Sequence, residues 1–209
     1  MYAGGLCFIT GRETDTLSFE EMTLRALQAG VKWVQYRDKE RSRREIYEES
    51  IRLMCVIKKS DAALIVNDHP DIALAADADG VHLGQDDLPV KEARKIMGKN
   101  RIIGISTHTV EQARDAGRDG ADYIGFGPVF HTATKDAGRP KGVEMLREIK
   151  RQVRIPVVAI GGITTENIRP VLEAGADAVA VSSALLRGDM EENIKRFLEI
   201  IHAYSERTY

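Results

Sequence analysis

Eight short runs rich in Val, Ile and aromatic residues punctuate the chain, at Leu6–Thr10, Trp33–Arg37, Ala63–Asn67, Gly80–Gly84, Ile102–Thr107, Tyr123–Gly127, Val157–Gly161 and Ala178–Ser183. Runs of this length and composition, bounded by glycine and polar residues, predict buried β-strands. Between them the apolar positions fall at helical spacing, as at Phe19, Met22, Leu24, Ala26 and Leu27, or at Ile194, Phe197, Leu198 and Ile201. Several helix exits share a local pattern just before a strand: Ala29-Gly30-Val31, Ala78-Asp79-Gly80, Gly120-Ala121-Asp122 and Gly175-Ala176-Asp177. Glycine there suits a left-handed helix cap. Strand and helix alternate strictly, which predicts an α/β fold of parallel units, and eight such units close most naturally into a single (β/α)8 TIM barrel. No linker, low-complexity tract or change of composition divides the chain, so one domain over residues 1–209 is expected. Catalytic groups of such barrels sit at the carboxyl ends of the strands, and those are the places to look for polar side chains.

Composition narrows the partners. Hydrophobic residues make up 43% and charged residues 30% of the chain, an ordinary globular balance. With 30 Lys and Arg against 32 Asp and Glu, no basic face is expected for neutralising nucleic-acid phosphates. No segment is long and apolar enough to span a bilayer, and the N-terminus lacks the basic flank and long apolar stretch of a signal peptide. Cys7 and Cys55 form neither a disulfide framework nor a zinc-ligand spacing, which fits a reducing cytoplasm. Exposed faces of small barrels often self-associate, so a homo-oligomer is one expectation.

Polar residues do gather where the predicted strands end. The second run closes on Gln35, Arg37 and Lys39, which alternation aims at the barrel mouth, where two cations and an amide suit a phosphate. Taken alone, Arg37 and Lys39 serve equally well as the solvated start of a helix. Asn67-Asp68 and Gly84-Gln85-Asp86-Asp87 bring carboxylates to neighbouring strand ends, a donor set suited to Mg²⁺. Single Asp residues beside Pro70 and Pro89 are also ordinary turn or cap residues. Ser106 stands at the end of the fifth run, while Thr109, with Gln112 three residues on, reads as a helix cap. The long segment from Gly127 to Gly138 carries hydroxyls and Lys135, as a lid over an anionic substrate would. Gly161-Gly162 and Ser182-Ser183 follow the seventh and eighth runs and suggest a phosphate corner. His69, His82, His108, His131 and His202 follow no metal-ligand spacing; His82 and His108 read better as hydrogen-bonded structural residues than as catalysts.

Read together, Gln35-Tyr36-Arg37-Asp38-Lys39, Val66-Asn67-Asp68, Gly80-Val81-His82-Leu83-Gly84-Gln85-Asp86-Asp87, Gly127-Pro128-Val129-Phe130-His131-Thr132-Ala133-Thr134-Lys135 and Ala159-Ile160-Gly161-Gly162-Ile163 resemble the thiamine phosphate synthase family. The similarity runs from about Leu6 to Phe197, with motifs in order at most strand ends. The resemblance implies a Mg²⁺-dependent transferase that condenses hydroxymethylpyrimidine pyrophosphate with hydroxyethylthiazole phosphate. It implies that Asp68 and Asp87 hold the metal and that Arg37, Lys39, Asn67 and Lys135 meet the pyrophosphate. Gln35 and Ser106 would contact the same substrate, and Thr132, Thr134, Gly162, Ser182 and Ser183 would receive the thiazole phosphate. The family's reaction is a dissociative displacement of pyrophosphate, so leaving-group stabilisation is the demand on the protein, with no base required.

Three departures bear on the pyrimidine pocket and the lid. Tyr36 stands where Leu is common, Gly11 follows Thr10 where Asp is frequent, and Arg139-Pro140 replaces a more proline-rich segment. A related thiazole tautomerase, a non-catalytic thiamine phosphate-binding barrel, and an unrelated phosphate-binding isomerase or lyase are the competing readings.

Overall fold

A computed structural model describes residues 5–11, 17–132 and 138–206. All eight expected strands form: β1 (Gly5–Ile9), β2 (Trp33–Tyr36), β3 (Ala63–Asn67), β4 (Gly80–Leu83), β5 (Ile102–Thr107), β6 (Tyr123–Phe126), β7 (Val157–Ile160) and β8 (Ala178–Val181). Between them run α1 (Phe19–Gln28), α2 (Arg43–Ile57), α3 (Pro70–Ala75), α4 (Val90–Met97), α5 (Val110–Arg118), α6 (Gly142–Gln152) and α7 (Ile168–Glu173); the short α8 (Ser183–Leu186) and the long α9 (Met190–Ser205) follow β8. Each strand pairs in parallel with its neighbour in sequence, and β8 pairs with β1 from Gly5↔Ala178 to Phe8↔Val181, closing the barrel.

Local chemistry explains the helix starts. Ser18 and Ser42 each accept a hydrogen bond from the backbone amide three residues on, while the Glu21 and Glu45 carboxylates accept one from the cap amide, completing two capping boxes. Phe19, Met22 and Ala26 of α1 face the sheet, whereas Leu24 is 46% exposed. Leu24 was expected on the apolar face; at 100° per residue it falls outside the stripe set by 19, 22 and 26. On α9 the buried face is Ile194, Phe197 and Ile201.

The helix-exit pattern holds at three places and fails at one. Gly30, Gly120 and Gly175 have φ of 105°, 88° and 92°. Before β4 the left-handed residue is Asp77, with φ 59°, and not Gly80. Asp tolerates this conformation better than most side chains. Hydrogen bonds from Lys58 and Arg101 also hold the Asp77 carboxyl down at about 2. Gly80 has a different task, because a Cβ there would collide with Ile102 and with Ile65 from the adjacent strands.

Two cores result. One lies between sheet and helices, and includes Phe8, Val34, Leu64 and Phe197. The other fills the barrel itself with Cys7, Ile9, Trp33, Ile65, Tyr123, Val158, Ala178 and Ala180. Trp33 meets Tyr123 edge-on at 4.9 Å between ring centroids. Gly104 makes this possible, since a Cβ at that position would fall within the Tyr123 ring. Burial pushes the Cys7 thiol and the Tyr123 hydroxyl well above their ordinary values.

Both groups therefore keep their protons in the folded state after the unfolded chain would release them. Stability is full below the unfolded pKa values, about 8.5 for Cys and about 10 for Tyr, and falls as pH rises beyond them by about 1.4 kcal/mol per pH unit for each such group. Urea unfolding followed from pH 7.5 to 11 should show the midpoint dropping above about pH 8.5; a flat profile would contradict the burial of these protons.

Candidate active site

Period-two alternation carries every other residue of each strand into the barrel, and the last inward positions form the wall of a cavity of about 800 Å³ at the carboxyl end of the strands. Its floor is the top of the inner core, with Cys7, Trp33, Tyr123, Val158 and Ala180. Gln35, Arg37 and Lys39 all line it, as does Ser106. Tyr36 does not. Its ring points outward, 1% exposed, and meets Phe19 edge-on at 5.3 Å, so this departure from the family pattern lies in the outer core and leaves the pocket untouched.

The β2 side of the mouth is cationic and tightly braced. The Arg37 amide donates to Thr10 Oγ1 at 3.0 Å, tying β2 to the end of β1. Asp38 accepts from the Glu40 and Arg41 amides, and the Arg41 guanidinium lies 5.3 Å above the Phe19 ring while pairing with Asp38 and Glu49. This network fixes the loop that presents Lys39. The Arg37 guanidinium makes no ion pair among the described residues, whereas Lys39 Nζ lies 3.2 Å from Asp68 Oδ2.

Asp68 follows β3 directly in the left-handed region, φ 67°, and its amide donates to the His82 carbonyl at 2.8 Å. Few side chains accept that conformation, and such outliers gather at functional sites. Beside it, Asn67 Oδ1 accepts from Gln35 Nε2 at 2.7 Å, while Gln35 Oε1 faces the Cys7 sulfur at 3.9 Å. Asp87 is not on the cavity wall. It lies behind Gly84, whose amide donates to Asp87 Oδ2 at 2.6 Å.

His82 and His108 are hydrogen-bonded, as their sequence context suggests, and both line the cavity together with His131. His82 bridges Tyr123 and Ser106, at 2.8 and 3.0 Å. His108 Nδ1 donates to the Gly127 carbonyl at 2.7 Å. Thr109 caps α5 as expected, but Gln112 sends its side chain back to the His108 amide, one residue before the capping-box partner.

On the opposite rim stand Thr132, Gly162, Ser182 and Ser183, together with Arg187, which the sequence analysis missed. Arg187 caps the end of α8, a one-turn helix whose last carbonyls, Leu185 and Arg187, accept from the Asn193 side chain at 3.2 and 2.7 Å. The double glycine was expected to admit a phosphate; the structure gives it a second reason. Phe130 donates its amide to the Gly161 carbonyl at 3.0 Å, and a Cβ on Gly161 or Gly162 would strike Pro128 or the His131 carbonyl. Thr134 and Lys135, and with them the middle of the expected lid, lie outside the described residues.

The family profile described as thiamine monophosphate synthase matches residues 6–185. The chain belongs to the thiamine monophosphate synthase family. It is 45% identical over 201 residues to the thiamine-phosphate synthase of Halalkalibacterium halodurans, covering 95% of this chain and 94% of that one. The thiamine-phosphate synthase of Chloroflexus aurantiacus is 50% identical over 165 residues, 78% of this chain and 76% of its own. Among solved structures, the thiamine phosphate pyrophosphorylase from Pyrococcus furiosus superimposes with a TM-score of 0.89 at 39% identity, covering 97% of this chain and 98% of that one.

Because Asp68 is left-handed, side chains with different tolerance for that region should separate its conformational role from its charge. Asp68→Asn is expected to stay within about 0.5 kcal/mol of the parent, while Asp68→Val loses a further 1–2 kcal/mol, roughly the cost of forcing a branched side chain into the left-handed region. Chemical denaturation of the two variants checks this; equal stabilities would contradict the backbone assignment.

Proposed function

We propose that this chain couples hydroxymethylpyrimidine pyrophosphate to hydroxyethylthiazole phosphate, releasing thiamine phosphate and pyrophosphate. One observation carries the reading beyond family membership. A single cavity has two polar rims separated by an apolar floor, with Arg37, Lys39, Asn67 and Asp68 on one side and Gly162, Ser182, Ser183 and Arg187 on the other. Two anionic substrates with flat rings between them suit that division.

In the reaction the bond from the pyrimidine methylene to the pyrophosphate oxygen breaks, its electron pair leaves with pyrophosphate, and the thiazole nitrogen forms the new bond to the methylene carbon. Charge therefore grows on the diphosphate. Arg37 and Lys39 are positioned to bind it, and Asn67 has amide hydrogens to offer it. Lys135 would add a third cation from the lid segment. The two serines and Gly162 orient the thiazole phosphate, and Thr132 and Thr134 would help to receive it. Gln35 and Ser106 hold the pyrimidine ring, which can carry a transient benzylic cation. No protein base is needed, because the work is positioning and electrostatics.

Magnesium fits the donor chemistry. A hard cation of this kind takes one or two carboxylates and fills its shell with water and phosphate oxygens. Asp68 and Asp87 leave adjacent strand ends, and the Gly84 amide orients the Asp87 carboxylate. They would hold the ion, which when bound supplies charge neutralisation to the leaving diphosphate. The unpaired Cys7 and Cys55 suit a reducing, cytoplasmic setting.

Purified protein given both substrates should form thiamine phosphate with Mg²⁺ and none after chelation, and Asp68→Asn should lower turnover at least about 100-fold. Ser183→Ala should raise the KM for thiazole phosphate more than it lowers kcat, as expected for a contact that binds ground and transition states alike. Isomerisation of the thiazole phosphate without coupling would instead identify a tautomerase, and absence of both reactions a binding module.

A further inference from the structure

Tyr123, His82 and Ser106 form a chain of hydrogen bonds that rises from the barrel floor to the cavity wall. The Tyr123 hydroxyl lies 2.8 Å from His82 Nδ1, and His82 Nε2 lies 3.0 Å from Ser106 Oγ. Tyr123 is 2% exposed and His82 8% exposed. The sequence has cleared space for both rings at inward positions: a Cβ on Gly104 would fall within the Tyr123 ring, and one on Gly125 would come within 3.1 Å of His82 Cε1. Trp33 closes the other side of the Tyr123 ring.

Such a chain can run either way, and which way decides what Ser106 offers the substrate. A buried hydroxyl proton without an acceptor is costly. Among the described residues the Tyr123 hydroxyl has one hydrogen-bonding partner, His82 Nδ1. Burial also keeps the phenol protonated across the working pH range. The proton must therefore point at Nδ1, which makes Nδ1 the acceptor. In neutral imidazole the other nitrogen then carries the hydrogen. Nε2–H donates to Ser106 Oγ, and the Ser106 hydroxyl proton is left to point away from His82, towards the cavity that Ser106 lines.

We propose that Tyr123 is a positioning residue: by donating to His82 it sets the chain in one direction and presents Ser106 to the pyrimidine as a hydrogen-bond donor. The substrate atom that Ser106 meets is then an acceptor, a ring nitrogen of the pyrimidine, and not its exocyclic amino group. The identity of the ring rests on the function proposed above; the direction of the chain does not.

The direction can be read without turnover. In the ¹⁵N-labelled intact protein, side-chain nitrogen spectra assigned with His82→Gln should show His82 Nδ1 bare and pyridine-like and Nε2 protonated and pyrrole-like. A protonated Nδ1 would overturn the proposal. Tyr123→Phe keeps the ring and its packing while removing the donor, so the His82 signals should shift towards a mixture of tautomers. In the coupling assay this variant should raise the KM for pyrimidine pyrophosphate about tenfold, the scale of one lost hydrogen bond, with a smaller change in kcat. Added to Ser106→Ala, the same substitution should cost nothing further, because its effect passes through Ser106. Independent, additive losses would refute the positioning role. If the protein does not couple the two substrates at all, the function fails while the nitrogen spectra still decide the direction of the chain.

Discussion

Closure of the sheet between β1 and β8 is the constraint on which the site depends. Once Gly5 to Phe8 pair with Ala178 to Val181, the inward and outward faces of all eight strands are fixed together, and a slip of one residue anywhere would turn that strand's side chains inside out. Gln35 faces the cavity and Tyr36 the outer core because of this parity, and so do Ser106 and Thr107, whose hydroxyl bonds outward to the Gly125 carbonyl. The same closure gathers loops far apart in sequence onto one rim. Arg37 and Arg187 are 150 positions apart by number and line the same cavity.

Inside the barrel the distribution of volume is uneven, and the glycines show where. Gly80 and Gly104 lie low on β4 and β5, where Ile65, Ile102 and Tyr123 take the space that side chains there would need. Gly125 on the next strand and Gly127 just past its end lie higher, beside His82 and Ile160. Large rings at Trp33 and Tyr123 therefore plug the amino end, and small residues leave the carboxyl end open. A packed floor beneath an open mouth lets polar groups reach the cavity already oriented by partners below them, which lowers the cost of organising them when a ligand binds.

The rim combines rigid and strained parts. Arg41, stacked on Phe19 and paired with Glu49, stiffens the loop carrying Lys39, so a cation with a long side chain starts from a fixed backbone. Next to it, Asp68 holds a conformation that costs energy and places its carboxylate beside Lys39. That arrangement puts opposite charges at one edge of the pocket, where an incoming diphosphate would compete with Asp68 for the cation. The acid keeps the cation in place in the interim.

Hydrophobic periodicity and the alternation of short apolar runs with amphipathic stretches were enough to determine the eight strands, their order and their closure, because strand burial and helix amphipathicity are local signals with fixed periods. The motifs at the strand ends also disclosed most of the cavity wall, since alternation carries Gln35, Arg37 and Ser106 to one side whatever the surroundings. What no local rule could decide was anything that depends on which surface lies opposite. Leu24 looked apolar enough for the core but faces outward; Gly80 looked like a cap but clears space for Ile102; Gly161 and Gly162 serve the loop from β6 as much as any ligand. Asp87 sits behind Gly84, Arg187 enters the rim only through the turn of α8, and His82 acquires a role from Tyr123 and Ser106, partners 41 and 24 residues away. These are outcomes of packing between distant segments, and they exist only once the barrel has closed.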